Sequence, residues 1–176
     1  MFLANEFVIH RGPMIIVVMG VTGAGKTTVG SALAAALDWR FVDGDTLHPA
    51  ANVERMRAGI SLTDADREPW LAALHALIVQ AAGRRDSLVL ACSALKERYR
   101  VALAGDGRGI RFVYLKLPER VAAARAAHRP GHFASPAIVP GQFAALEEPS
   151  AADALIVDAT APPERLVAEI RAELGL

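Results

Sequence analysis

Hydrophobic residues along the chain fall into five short runs, separated by stretches where apolar positions return every third or fourth residue. The first run, Met14-Ile15-Ile16-Val17-Val18-Met19, is unbroken and rich in β-branched residues, as in a strand buried on both faces. A glycine-rich turn follows. Then Val29, Leu33 and Leu37 recur every four residues and predict a helix with one apolar face. Arg40 to Asp43 reads as a second strand. Residues 49–84 read as mostly helical, with Trp70, Leu74, Leu77, Ile78 and Ala81 on one face and Pro69 in a first turn. Ser87 to Cys92 reads as a third strand and Arg111 to Leu117 as a fourth, each followed by a helix, at about 95–103 and 118–127. Residues 128–141 hold three prolines and two glycines and read as a loop. Ala154 to Asp158 is a fifth strand, and Pro162-Pro163 opens a last helix bearing Leu166, Ile170 and Leu174. Short apolar strands alternating with helices predict an α/β chain: a five-stranded parallel sheet sandwiched by helices. Residues 1–13 read as an extension and 14–176 as one domain. Two stretches read as additions to the sheet core, a helical insertion at about 46–70 and a lid at about 128–141.

Composition narrows the partners. The chain has 176 residues, 53% hydrophobic and 22% charged, which excludes a disordered chain. Lys+Arg and Asp+Glu both number 19, so the net charge is zero, which argues against nucleic acid as a general partner. One cysteine excludes a disulfide framework and a cysteine-based zinc cluster. The longest strongly apolar run, Met14–Met19, is far too short to span a bilayer, and no basic-then-apolar leader is evident. The expectation is a cytoplasmic protein with no membrane partner.

The chemistry begins with Gly20-Val21-Thr22-Gly23-Ala24-Gly25-Lys26-Thr27, followed by Thr28. It fits Gly-x4-Gly-Lys-[Ser/Thr] and lies between a predicted strand and a predicted helix, as a phosphate loop requires. Glycines let the backbone turn its N–H groups onto phosphate oxygens, and the helix N-terminus adds positive potential. Lys26 is the candidate for the β- and γ-phosphates of ATP, and Thr27 for Mg2+. A guanine switch carries Asn-Lys-x-Asp; the only asparagines here, Asn5 and Asn52, precede Glu6 and Val53. A small-molecule kinase is therefore favoured.

Asp43-Gly44-Asp45 ends the second strand, and ligands of open parallel sheets bind beyond the carboxyl ends of strands. One carboxylate suits a metal-bound water and the other the attacking hydroxyl, and the sequence does not divide these roles between them. At these residues the chain resembles the thermoresistant gluconokinase family. The resemblance runs through Met19 to Gly30, Asp43-Gly44-Asp45 with Leu47-His48-Pro49, and Asn52-Val53 with Met56. It continues through Leu62-Thr63-Asp64, Asp66-Arg67, Pro69-Trp70-Leu71, Cys92-Ser93-Ala94-Leu95-Lys96 and Tyr99-Arg100. Arg129-Pro130-Gly131-His132-Phe133, Gln142-Phe143 and Leu146-Glu147-Glu148-Pro149 complete it. Gly141 stands where the family usually has Ser or Thr, and Val101 and Ala104 also depart from its pattern.

The resemblance implies a P-loop kinase fold, similar to nucleoside monophosphate and shikimate kinases, and ATP- and Mg2+-dependent phosphorylation of D-gluconate to 6-phospho-D-gluconate. It implies catalytic roles for Lys26, Asp43, Asp45 and Arg129, with Asp43 reaching the metal through water. Substrate contacts are implied for Asp45, His48, Arg67, Lys96, Arg100, His132 and Gln142. Lys96 and Arg100, four apart, are expected to share one helix face pointing at the strand ends. Arginines at the lid base of such kinases lie over adenine and phosphates, which implicates Arg125 beside Arg129. The base is expected near Thr160 to Pro162. Similar kinases suggest a homodimer. Trp70 reads as a core anchor rather than a stacking platform, and Cys92 as a core residue. The alternatives are a shikimate-kinase-like enzyme, whose Gly-Gly-Gly substrate loop is missing here, and a nucleotide-binding regulator without catalysis.

Overall fold

The computed structural model describes residues 12–105, 109–128 and 136–176. Within them, five parallel strands form one sheet in the order β2-β3-β1-β4-β5: β1 (Ile15–Met19), β2 (Arg40–Asp43), β3 (Leu88–Ala91), β4 (Ile110–Lys116) and β5 (Leu155–Asp158). The five expected strands are all present, with ends shifted by a residue or so. β1 lies at the centre, paired with β3 on one side and β4 on the other, and all of its residues are buried.

The two-residue period of β1 divides the core. Ile16 and Val18 face α1 (Lys26–Leu37) and α7 (Pro163–Leu174), packing with Val29, Leu33, Leu166 and Ile170. Ile15, Val17 and Met19 face α3 (Asp64–Arg84) and α4 (Glu97–Ala104), packing with Trp70, Leu74, Ile78, Tyr99 and Leu103. α5 (Glu119–Ala127) joins the first of these layers through Ala122 and Ala126.

Three features of the helices differ from the sequence expectation. The 49–84 stretch is two helices, α2 (Ala50–Arg57) and α3, joined by an extended link. α3 starts early because Thr63 and Asp66 form a reciprocal capping box, each side chain bonding the other's backbone N–H. Pro69 therefore sits in the second turn, where its missing N–H removes the bond to the Ala65 carbonyl. Residues 136–145, expected to be loop, form a short 3-10 turn (Pro136–Ile138) and α6 (Val139–Ala145). Pro140 lies in the first turn of α6, where no N–H is needed, and Ile138 and Val139 are buried. Among the described residues, no helix is long and apolar enough to cross a membrane.

Candidate active site

The phosphate loop spans the step from β1 to α1, above the carboxyl ends of the strands. Gly20, Gly23 and Gly25 take φ values of 145°, 86° and 93°, a region costly to side-chain-bearing residues. Gly23 is the tightest position: a Cβ there would lie 2.2 Å from the Ala122 carbonyl oxygen of α5. Gly25 is the N-cap of α1 and offers no side chain, so the first-turn N–H groups face outward for an anion. Lys26 Nζ donates to the Val21 carbonyl at 3.0 Å, folding back along the loop. Ala24 is buried and packed, and Thr28 is exposed on the first turn of α1.

Asp43 and Asp45 are held differently. One Asp43 carboxylate oxygen accepts from Thr27 Oγ1 at 2.8 Å, and the other accepts the Asp45 N–H at 3.1 Å. Its main-chain carbonyl accepts from Thr46 Oγ1 at 2.7 Å. Asp43 thus caps a 3-10 turn, Gly44–Leu47, that carries Asp45. There Asp45 lines a cleft with Thr22, Lys26, His48, Arg67, Ser93 and Gln142.

Part of the cleft wall is built by α3. Trp70, 1% exposed, donates from Nε1 to the Gly44 carbonyl at 2.8 Å, tying α3 to the turn between the two aspartates. His48 stacks on Trp70 with ring centroids 4.2 Å apart and planes 11° from parallel. Trp70 is therefore both a core anchor and a stacking platform, because its indole spans the core and the cleft floor. Burial pulls the His48 pKa down to about 4 against the pull of nearby Asp45, and Arg67 pushes it the same way as burial. His48 Nδ1 is buried and has no hydrogen-bond partner in the described structure. Arg67 lies in the first turns of α3 rather than before it, and its Nη1 donates to the carbonyls of Leu62 and Thr63.

Lys96 and Arg100 do not join this cleft. α4 begins at Glu97, so Lys96 is its extended N-cap and not on the helix face of Arg100. Lys96 Nζ pairs with Asp64 at 3.0 Å, and Arg98 and the Tyr99 hydroxyl meet the same carboxylate. Arg100 is 8% exposed and turns back to the carbonyls of Ala94 and Leu95 at 3.2 and 3.3 Å. Arg125 donates to the Ala159 carbonyl at 2.8 Å, which bridges α5 to the segment after β5 where the base is expected. Gln142 of α6 accepts the Thr22 N–H at 2.6 Å. Arg129 and His132, with residues 129–135 of the expected lid, lie outside the described residues.

Sequence reasoning overlooked Ser93 and Asp64. Ser93 lines the cleft, and its carbonyl accepts the Gly20 N–H at 3.3 Å. Both stand inside motifs already noted, and that position was the available signal. Gly141 faces Ser61 Oγ, 3.1 Å from where a Cβ would stand, so its departure from the usual hydroxyl residue bears on the packing of α6 against the link between α2 and α3. Cys92 is fully buried and burial pushes its thiol up to about 12, as befits a core residue.

The donor set fits a nucleotide with Mg2+. A threonine hydroxyl bonded to a carboxylate at the start of α1 offers hard oxygen ligands, and such a site takes the remainder from phosphates and water. Among the described residues, no cluster of three or more His, Cys, Asp or Glu could hold a metal by itself.

Comparison with known proteins places this geometry. The sequence family described as AAA domain matches residues 15–149. A gluconokinase of Gluconobacter oxydans (strain 621H) is 48% identical over 137 residues, covering 78% of this chain and 77% of the relative. The thermoresistant gluconokinase of Escherichia coli (strain K12) is 43% identical over 157 residues, covering 88% of this chain and 89% of the relative. The crystal structure of a gluconokinase from Sinorhizobium meliloti 1021 superposes with a TM-score of 0.81 at 42% identity, covering 94% of this chain and 93% of the other.

Proposed function

The chain belongs to the gluconokinase family, and on that premise we propose that it transfers the γ-phosphoryl group of ATP to D-gluconate, yielding 6-phospho-D-gluconate. One observation supports a division of labour in the cleft. Both oxygens of Asp43 are engaged by Thr27 and the Asp45 N–H, while Asp45 lines the cleft together with Lys26. Asp43 and Thr27 form the metal side, Asp43 acting through water, and Asp45 is the group that orients the C6 hydroxyl and takes its proton.

The other roles follow from charge and shape. Lys26 and the N–H groups of the loop hold the β- and γ-phosphates. Mg2+, when bound, would be held on the Thr27 and Asp43 side and would offset the negative charge of the phosphates. Arg67 is the cation for the gluconate carboxylate; a guanidinium carries five donors, and its two main-chain bonds use Nη1 only. Neutral His48, stacked flat on Trp70, is the group for a hydroxyl of the polyol. Lys96, paired with Asp64, shares the Tyr99 ring with Arg67, and buried Arg100 braces the segment before α4 through the carbonyls of Ala94 and Leu95. A cytoplasmic setting suits an enzyme that draws on an ATP pool.

ADP release is the test, measured with D-gluconate, with shikimate and with no acceptor, alongside detection of 6-phospho-D-gluconate. Turnover stimulated by gluconate alone is expected. Stimulation by shikimate but not gluconate, or no turnover with either, overturns the reading.

A further inference from the structure

We propose that Gln142 is a positioning residue joining α6 to the phosphate loop, with its amide oxygen fixing Thr22 and its amide nitrogen presented to the reacting side of the cleft. The 2.6 Å contact with the Thr22 N–H settles which way the amide faces. A backbone N–H only donates, so the atom it meets is the oxygen. The NH2 group is then the edge left toward the cleft, which Gln142 lines together with Lys26, Asp45 and Arg67. An amide NH2 carries donors only. What it binds there is an oxygen: that of the transferring phosphoryl group or of a substrate hydroxyl.

The mounting of the side chain is firm. Ile138 and Val139 bury the start of α6, and Gly141 packs beside Ser61 of the link between α2 and α3. Just past α6, the Glu147 N–H donates to the Leu95 carbonyl at 2.9 Å. Thr22 is 8% exposed, so its N–H needs a protein partner, and Gln142 supplies one from 120 residues away. One side chain therefore sets the shape of the nucleotide loop and donates to whatever crosses the cleft. This deepens the gluconate-kinase reading and rests on it for the second half of the role.

Two substitutions separate the halves. Gln142→Glu keeps an oxygen for Thr22 and replaces the donor edge with another acceptor. Gln142→Met keeps the length and removes both. Gluconate phosphorylation is followed as kcat and KM, ADP affinity by calorimetry, and folding by circular dichroism. Losing a hydrogen bond to a charged oxygen lowers kcat about tenfold or more in both variants. ADP affinity weakens in Gln142→Met by about fivefold through the lost Thr22 bond, and in Gln142→Glu through repulsion between the new carboxylate and the phosphates. A wild-type kcat in Gln142→Glu overturns the donor role. Wild-type ADP affinity in folded Gln142→Met overturns the tether. If Gln142→Met fails to fold, the kcat of Gln142→Glu decides the donor role, and Gln142→Leu decides the tether. If the wild-type chain does not turn over gluconate at all, the functional reading fails, and the ADP affinities still decide the tether.

Discussion

The two walls of the cleft are built on different principles. The nucleotide wall is made of backbone. Gly20, Gly23 and Gly25 hold left-handed or extended positive-φ conformations, Gly23 abuts the main chain of α5, and α1 begins without a side-chain cap. The acceptor wall is made of side chains that grip main-chain atoms of other segments. Trp70 holds the Gly44 carbonyl, buried Asn52 donates to the Asp66 carbonyl at 2.6 Å, and Arg67 holds Leu62 and Thr63. A phosphate is the same anion in every ATP, so a fixed array of N–H groups serves it. A polyol acid is read by the spacing of its hydroxyls, which needs side chains, and these keep their positions only through such cross-links.

Six substitutions and one titration probe that contrast. The largest effects belong to the groups placed at the reacting atoms: Lys26→Ala and Asp45→Asn each lower kcat/KM by about 10²–10⁴-fold in steady-state assays. Equal loss from Asp43→Asn in kcat, with no change in Mg2+ dependence, would erase the distinction between the two aspartates. Next comes Gly23→Ala, which tests whether the nucleotide wall is set by backbone. Its φ alone costs about 1–3 kcal/mol, and the clash with Ala122 adds to this. ATP affinity and the urea midpoint should fall together.

Trp70→Phe is the matching probe of the acceptor wall. It keeps a ring beneath His48 and leaves the Gly44 carbonyl without its donor, costing about 1 kcal/mol in urea unfolding. KM for gluconate should rise more than KM for ATP; the reverse order would show that the walls are not separable. The pH dependence of stability is a subtler probe. His48 titrates near 4 when folded against about 6.5 when unfolded, so the unfolded chain binds more protons between those values. Its contribution is complete above about pH 6.5 and is lost as pH falls toward 4. The difference between the wild-type and His48→Asn stability curves should shrink over that window. The smallest effect is expected from Cys92→Ala: about 1 kcal/mol of stability for a lost core atom and unchanged kcat.

The same contrast governs how much was legible in the sequence. The strands and the phosphate loop could be read directly, because buried strands are unbroken apolar runs and the loop needs glycine at fixed positions. The acceptor wall was legible only through resemblance, since nothing local in Trp70 or Asn52 says which distant carbonyl it will meet. The spacing of Lys96 and Arg100 misled because it presumes one helix, and the helix starts between them at Glu97. α6 was hidden for a related reason: Val-Pro-Gly-Gln-Phe-Ala-Ala has weak helical propensity, and its helicity comes from buried Ile138 and Val139 and from its place between Thr22 and Ser61.

The seat of Gly23 against Ala122 also sets an order of assembly during synthesis. β1 has no neighbours until β3 and β4 exist, and the loop it carries has no back wall until α5 is made. A nascent chain ending before Leu88 therefore displays Ile15–Met19 without either neighbouring strand, and one ending before Ala122 has its sheet pairs but a nucleotide loop with no back wall. The back wall of the nucleotide loop is thus the last part of its support to be synthesised, after the strands that cover β1.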